Sequence, residues 1–538
     1  HLIMAGDASG AAFAYREPTI ATLLNQAGFL LALNIVNACL DKIMYCGLVG
    51  QLFIGILWGT PGAKWLNQDT ETAIQQLGYI GLIMLVYEGG LSISLRSMRA
   101  NLVISVCVAL TGIGIPMGLS FVLMDLVSAS PLQAFTAGAA LSATSLGTTF
   151  TILSTTNLIS TRIGTVTTSA AMLDDVVGLV MIQVITNLGG STSSFNAVTV
   201  IRPVFVSIGF AVGVLILCAF GLKPIMKRAL ALSSHIPKFM GTMQFAFMAH
   251  TCVLVGIVAG ASYAGTSSLF AAYLAGVIIS WFDGLAADFR VITETKSPNI
   301  PNSAPGVLDI QRSPEETTDS NAPSSNQQIM TPKEFPTGKN VYEKYYKEPT
   351  SRILIPLFFA SIGFAIPITK MFKGSVVWRG IIYALLMTFG KMATGIWLVR
   401  LSSNPISSFI GMVKKPFSII HLFCTVCKRD STKNQNSSAK RSMPSPQPKP
   451  KSLYPPLILG LAMVARGEVG YLIASLAESQ GMFSTDGEIS EIYLVVIWAI
   501  SICTLIGPIS VGTLVRRVKN LQRSRGTSGV DPLGAWGI

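Results

Sequence analysis

Stretches of about 20 apolar residues, each long enough to cross a hydrocarbon core, recur along nearly the whole chain. No other feature limits the possible folds as much. Of the 538 residues, half are apolar and only 12% are charged. A soluble domain carries roughly 25% charged residues, so this chain has about half the usual share. Mean hydropathy is +0.56. A disordered scaffold is excluded and a soluble enzyme is not expected; the fold class is an all-α polytopic membrane protein.

Apolar windows bounded by Gly, Pro and charge place helices at 19–40, 43–59, 74–95, 102–126, 131–153, 161–188 and 199–222. Further windows lie at 239–262, 265–284, 352–369, 375–400, 455–477 and 489–514, about thirteen in all. The second is short and the fifth is rich in Thr and Ser. The chain then divides into a membrane block over 1–284, an insert over 285–350 and membrane helices over 351–400. A second insert over 401–453, membrane helices over 454–515 and a basic tail over 516–538 complete it. Both inserts hold too little apolar surface to offset their ordering entropy, so they read as flexible loops.

The net charge of +13 gathers in a few loops and the tail, so it signals membrane orientation and not nucleic acid. Arg96 and Arg99 follow the third span, Lys223, Lys227 and Arg228 the seventh, and Lys414 and Lys415 the eleventh. Arg516, Arg517 and Lys519 follow the last. With thirteen spans all of these fall on one side, which the positive-inside rule makes cytoplasmic. The inserts and the C terminus are expected there and the N terminus outside. No basic head of signal-peptide type precedes the first apolar segment, and the chain begins at His1. Six of the eight cysteines sit inside apolar segments, where packing is their expected role. Cys424 and Cys427 form a C-x-x-C without the second pair that a zinc site needs.

An ionisable group near the bilayer centre costs roughly 2.5–3.5 kcal/mol, so such groups are candidates for function. Asp174 and Asp175 lie mid-helix in TSAAMLDDVVGLV, and Lys391 lies mid-helix in LLMTFGKMATG. Two adjacent carboxylates are a poor packing device. Like charges favour keeping a proton on one of them, which suits a site that alternates between a proton and a hard cation. A buried polar pair that only fixes packing is the plainer alternative. Lys391 either snorkels to an interface or pairs with a carboxylate such as Asp174. Arg466 and Glu468, in LGLAMVARGEVGYLI, fit a structural ion pair at least as well as transport chemistry. Glu88 reads as interfacial and His250 as a satisfied core histidine. The fifth span, AALSATSLGTTFTILSTT, and the twelfth both suggest irregular backbone, which membrane depth tolerates only beside a cavity or within protein.

These residues resemble a known family. SATSLGTTFTILSTTNLISTRIGTVTTSAAMLDDVVGLV is similar to the core of the cation:proton antiporter-2 family of monovalent cation/proton exchangers. IPLFFASIGFAI and ARGEVGYLIA resemble two further family segments, in the family's order. The resemblance implies thirteen helices: two inverted six-helix repeats with a linker, and crossed, unwound fifth and twelfth helices. It places Asp175 at the carboxylate that binds cation and proton, and so at the metal position. It makes Asp174 a neighbour that pairs with Lys391, sets Thr144 and Ser145 on the unwound segment near the ion, and gives Arg466 and Glu468 a structural role. The implied function is exchange of Na⁺, Li⁺ or K⁺ for protons by alternating access, electrogenically, with no cofactor. A homodimer in the lipid bilayer, at the plasma membrane in preference to an internal one, goes with it. The two inserts lie outside the family pattern and look like those of fungal relatives. A potassium/proton exchanger, a sodium-coupled symporter, an intramembrane aspartyl protease and a channel are the rivals. The protease needs two aspartates on different helices, whereas Asp174 and Asp175 are adjacent on one.

Overall fold

A computed structural model describes residues 17–295, 336–400 and 453–525, together with Leu533 and Trp536. Short gaps fall at 45, 94, 156–157, 159–160, 190–196, 225–227, 229–241 and 484–489. Most of both inserts, including Cys424 and Cys427, lies outside the described residues, as does most of the segment from 526 onwards.

The described residues form helices and no strand. In chain order they are α1 (Ile20–Met44), α2 (Gly47–Trp58), α3 (Gln68–Leu91) and α4 (Leu95–Leu119), the last prolonged by short turns to Leu126. α5 (Pro131–Ser142), α6 (Leu146–Thr155), α7 (Arg162–Gly189) and α8 (Ala197–Ile216) follow. Next are α9 (Met243–Ala264), α10 (Ser268–Thr295) and α11 (Ile355–Phe364). The chain closes with α12 (Gly374–Met392), α13 (Tyr454–Ala462), α14 (Glu468–Ser479) and α15 (Glu491–Arg525). Among the described residues eight helices are long and apolar enough to cross a membrane, and α2, with 12 residues, is a shorter apolar one.

The expected fifth and twelfth spans are each two helices end to end. α5 opens on a capping box, Ser130 with Gln133, and stops at Ala143, whose ψ of 139° is extended. α6 resumes at Leu146. α13 stops at Met463, and Gly467, also extended, precedes α14. The two interruptions lie against each other: the Ser145 N–H donates to the Ala465 carbonyl at 2.9 Å, and Thr149 Oγ1 to the Ala462 carbonyl at 3.1 Å. Each break thus satisfies backbone groups that the other leaves free, which makes irregular backbone affordable in a buried place.

Around this crossing α4, α7, α12, α14 and α15 pack as one group, while α3, α10 and α11 pack as another. Apolar burial does not drive helices together in lipid, so close approach through small residues matters more. α3 and α10 show it at Gly90 and Gly276. A Cβ on Gly90 would lie 2.3 Å from the Tyr273 carbonyl oxygen, and one on Gly276 2.4 Å from that of Tyr87.

The first insert is shorter than the expected 285–350. α10 runs on to Thr295, and a helical run starts at Gly338 and passes through two π-helical turns, Tyr342–Tyr346 and Thr350–Leu354, into α11. Buried Val341 and Tyr342 and the Tyr87–Tyr342 ring contact at 6.1 Å anchor it, and Asp283 accepts the Gly338 N–H at 2.7 Å. The Pro, Ser and charge content of the neighbouring residues hides this aromatic face, so composition alone places the boundary too late.

Candidate functional site

α7 carries Asp174 and Asp175 at mid-length, on a helix that is apolar and well buried around them. Their side chains meet different surroundings. Asp174 Oδ2 is 2.5 Å from Lys391 Nζ on α12, and neither residue is exposed to solvent. Thr144, in the break between α5 and α6, donates its hydroxyl to Asp174 Oδ2 at 2.7 Å and accepts from Lys391 Nζ at 2.8 Å. A carboxylate, an ammonium and a hydroxyl thus form a closed triangle. The hydroxyl is positioned only because the helix is interrupted there.

Asp175 is buried too, yet its Oδ1 has no hydrogen-bond partner among the described residues. It faces a cavity of about 240 Å³ between the two helix groups, lined by Leu85, Glu88, Phe150, Tyr273, Asp175 and Glu468 among others. No Lys, Arg or His lines it among the described residues. Asp174 Oδ1 is likewise buried without a partner among the described residues, but of the two aspartates only Asp175 lines the cavity, where a ligand could offset the cost of a buried carboxylate oxygen without donors. Ser145 donates to Glu468 Oε2 at 3.2 Å, which brings the second half of the crossing to the same cavity.

Arg466 and Glu468 do not form the expected ion pair; none joins them among the described residues. Gly467 between them is extended (φ −164°, ψ −139°), so the two side chains leave the break in different directions. Arg466 instead donates through Nη1 to the carbonyls of Ala143 (2.9 Å) and Ser142 (3.3 Å), the C-terminal end of α5, where a helix favours a cation. We expect Arg466→Gln to lose about 2–3 kcal/mol of stability, from charged hydrogen bonds to buried carbonyls. A thermal melt of purified protein in detergent checks this; an unchanged melting temperature contradicts it.

Glu88 is not simply interfacial. It lines the cavity and accepts the Tyr342 hydroxyl at 3.0 Å. Its spacing from Asp175 in sequence carried no hint of this, because the two lie on different helix groups. His250 is half-buried, and its Nδ1 has no partner among the described residues. No three His, Cys, Asp or Glu side chains cluster at metal-ligand spacing among the described residues.

Comparison with known proteins decides what kind of chain this is. The sequence profile of a family described as "Sodium/hydrogen exchanger, transmembrane" matches residues 29–296, a stretch that includes α7 and both aspartates. The high-affinity Na(+)/H(+) antiporter NhaS3 of Synechocystis is 30% identical over 168 residues, 31% of this chain and 36% of that protein. Cation/H(+) antiporter 17 of Arabidopsis thaliana is 29% identical over 270 residues, 46% of this chain and 31% of that protein. The chain belongs to a monovalent cation:proton antiporter family. The family is one of transporters and not of enzymes. The matched stretch covers about a third of the length of these curated relatives. The solved structure of the sodium proton antiporter MjNhaP1 from Methanocaldococcus jannaschii superposes with a TM-score of 0.53, covering 93% of this chain and 99% of that one. At 15% identity that likeness is one of fold.

Proposed function

We propose that this family member exchanges monovalent cations, Na⁺ first and Li⁺ or K⁺ beside it, for protons across a membrane by alternating access. The observation that carries the reading is Asp175, which lines the cavity with no hydrogen-bond partner for its Oδ1 among the described residues, beside the Asp174–Lys391–Thr144 triangle. In it, ionised Asp175 holds the cation, and Ser145, Glu468, carbonyls freed at the crossing or water supply further oxygens, the donor type that hard cations take. A proton on Asp175 removes the charge that holds the cation and releases it. The breaks at Ala143–Ser145 and Met463–Gly467 let backbone reach the ion at membrane depth. The helix group carrying Asp175 then moves against α3, α10 and α11, so that the cavity closes on one side and opens on the other.

Thirteen spans in two inverted repeats, a homodimer and a plasma-membrane location belong to the same reading. So do cytoplasmic positions for the 285–350 and 401–453 inserts and the tail. Impermeant thiol reagents on sealed cells are expected to leave cysteines placed in any of the three unlabelled. Labelling of one of them from outside overturns the orientation.

The chemistry has its own test. Adding Na⁺ to purified protein in weakly buffered detergent solution is expected to release protons, saturably, while choline releases none. Saturable Na⁺ binding without proton release would contradict a shared carboxylate.

A further inference from the structure

We infer that Glu88 is a cation-recruiting carboxylate at the cavity mouth, held in place by Tyr342, and that it sets the apparent affinity for the transported cation. The inference rests on the antiporter reading of Asp175 and extends it to the opposite wall. Asp175 and Glu468 are buried on the α7 and α14 side, whereas Glu88 is half-buried, one turn before the end of α3. That end precedes Arg96 and Arg99, the side that the positive-inside rule makes cytoplasmic. Glu88 and Asp175 line one cavity, which holds no basic side chain among the described residues, and Asp175 Oδ1 has no hydrogen-bond partner among them. A cation arriving from the α3 end therefore meets Glu88 before Asp175.

Tyr342 makes the arrangement more than a loose surface charge. Its hydroxyl donates to Glu88 Oε2 at 3.0 Å, and Tyr342 itself is buried, with its ring 6.1 Å from that of Tyr87. Gly338, four residues before it, is tied to Asp283 on α10. The carboxylate is thus fixed where the low-dielectric walls focus its field into the cavity, and such focusing raises local cation concentration and on-rate. Glu88 touches no part of the Asp174–Lys391–Thr144 triangle, so its effect falls on cation capture and not on the proton-exchanging step.

The test is cation-dependent proton flux in proteoliposomes, with the cation supplied on the face that carries Arg96 and Arg99. Glu88→Gln is expected to raise the half-saturating Na⁺ concentration about tenfold, the lower end of the range for charge focusing, at near-unchanged maximal rate. Tyr342→Phe, which keeps the carboxylate but frees it, is expected to give a smaller rise, and Glu88→Asp to restore most of the affinity. Raising ionic strength with choline chloride is expected to bring wild type toward the Glu88→Gln value, since screening weakens a charge but not a packing contact. An unchanged half-saturation in Glu88→Gln, a fall in maximal rate alone, or a defect insensitive to ionic strength overturns the inference while leaving the Asp175 reading intact. If Glu88→Gln fails to fold, Tyr342→Phe with the same salt series decides in the same terms. Wild-type protein without cation-dependent flux overturns both.

Discussion

Asp175→Asn is expected to abolish cation-driven proton flux, to background, while the protein still purifies as a folded species. Asparagine matches the shape of the carboxylate but neither titrates nor carries charge. It therefore offers no alternation between cation and proton. The folded state should not suffer. Asp175 Oδ1 makes no hydrogen bond among the described residues, and an uncompensated buried charge is costly. The variant is expected to melt at the same temperature as wild type or a higher one. The pair of measurements separates function from structure: lost flux with a kept or raised melting temperature supports the account. Flux near the wild-type level would remove Asp175 from the ion site.

Lys391→Gln should behave in the opposite way in both respects. Lys391 Nζ, with no solvent exposure, holds Asp174 Oδ2 at 2.5 Å and Thr144 Oγ1 at 2.8 Å. Removing one partner of a buried ion pair costs about 3–5 kcal/mol, because the other is left charged in a place that cannot solvate it. A clear drop in melting temperature is expected. The transport consequence follows from charge counting. We propose that in the cation-loaded state Asp174 and Asp175 are both ionised and Lys391, released from Asp174, has given up its proton. In the proton-loaded state Asp175 is protonated and the Asp174–Lys391 pair is restored. In this proposed cycle two protons would return for one cation, one net charge would cross per cycle, and a 100 mV potential would contribute about 2.3 kcal/mol. With glutamine at 391 the lysine proton is lost from the cycle, and exchange is expected to move toward electroneutrality. Solid-supported-membrane currents read this directly. Wild-type exchange without current, or an undiminished current in the variant, would make Lys391 a structural partner only.

The juxtaposition of Asp174 and Lys391 was legible before any fold was known, although 217 residues separate them. A charge in mid-membrane has few stable solutions, and one acid with one base on apolar helices is among the cheapest. The irregular backbone of AALSATSLGTTFTILSTT and of the segment around Arg466 was legible for a related reason. That load of hydroxyls and glycines, or an internal charge, makes little sense on a continuous lipid-facing helix. The directions of side chains at a break were not legible. Arg466 and Glu468 look like an ion pair because only Gly467 separates them, yet the extended glycine sends the arginine to the end of α5 and the glutamate to the cavity. Glu88 was missed because its importance depends on two helix groups meeting, a long-range fact with no local pattern. The start of the helical run at Gly338 was missed because its anchors, Tyr342 and the Asp283 contact, stand beside residues with a loop-like composition.

Proteoliposomes holding wild-type protein, a trapped pH dye and an imposed Na⁺ gradient test the central claim most directly. The account predicts proton movement opposite to Na⁺, reversed when the gradient is reversed, absent with choline and absent in Asp175→Asn. Na⁺ movement with no accompanying proton flux, or flux that persists with choline, would contradict it.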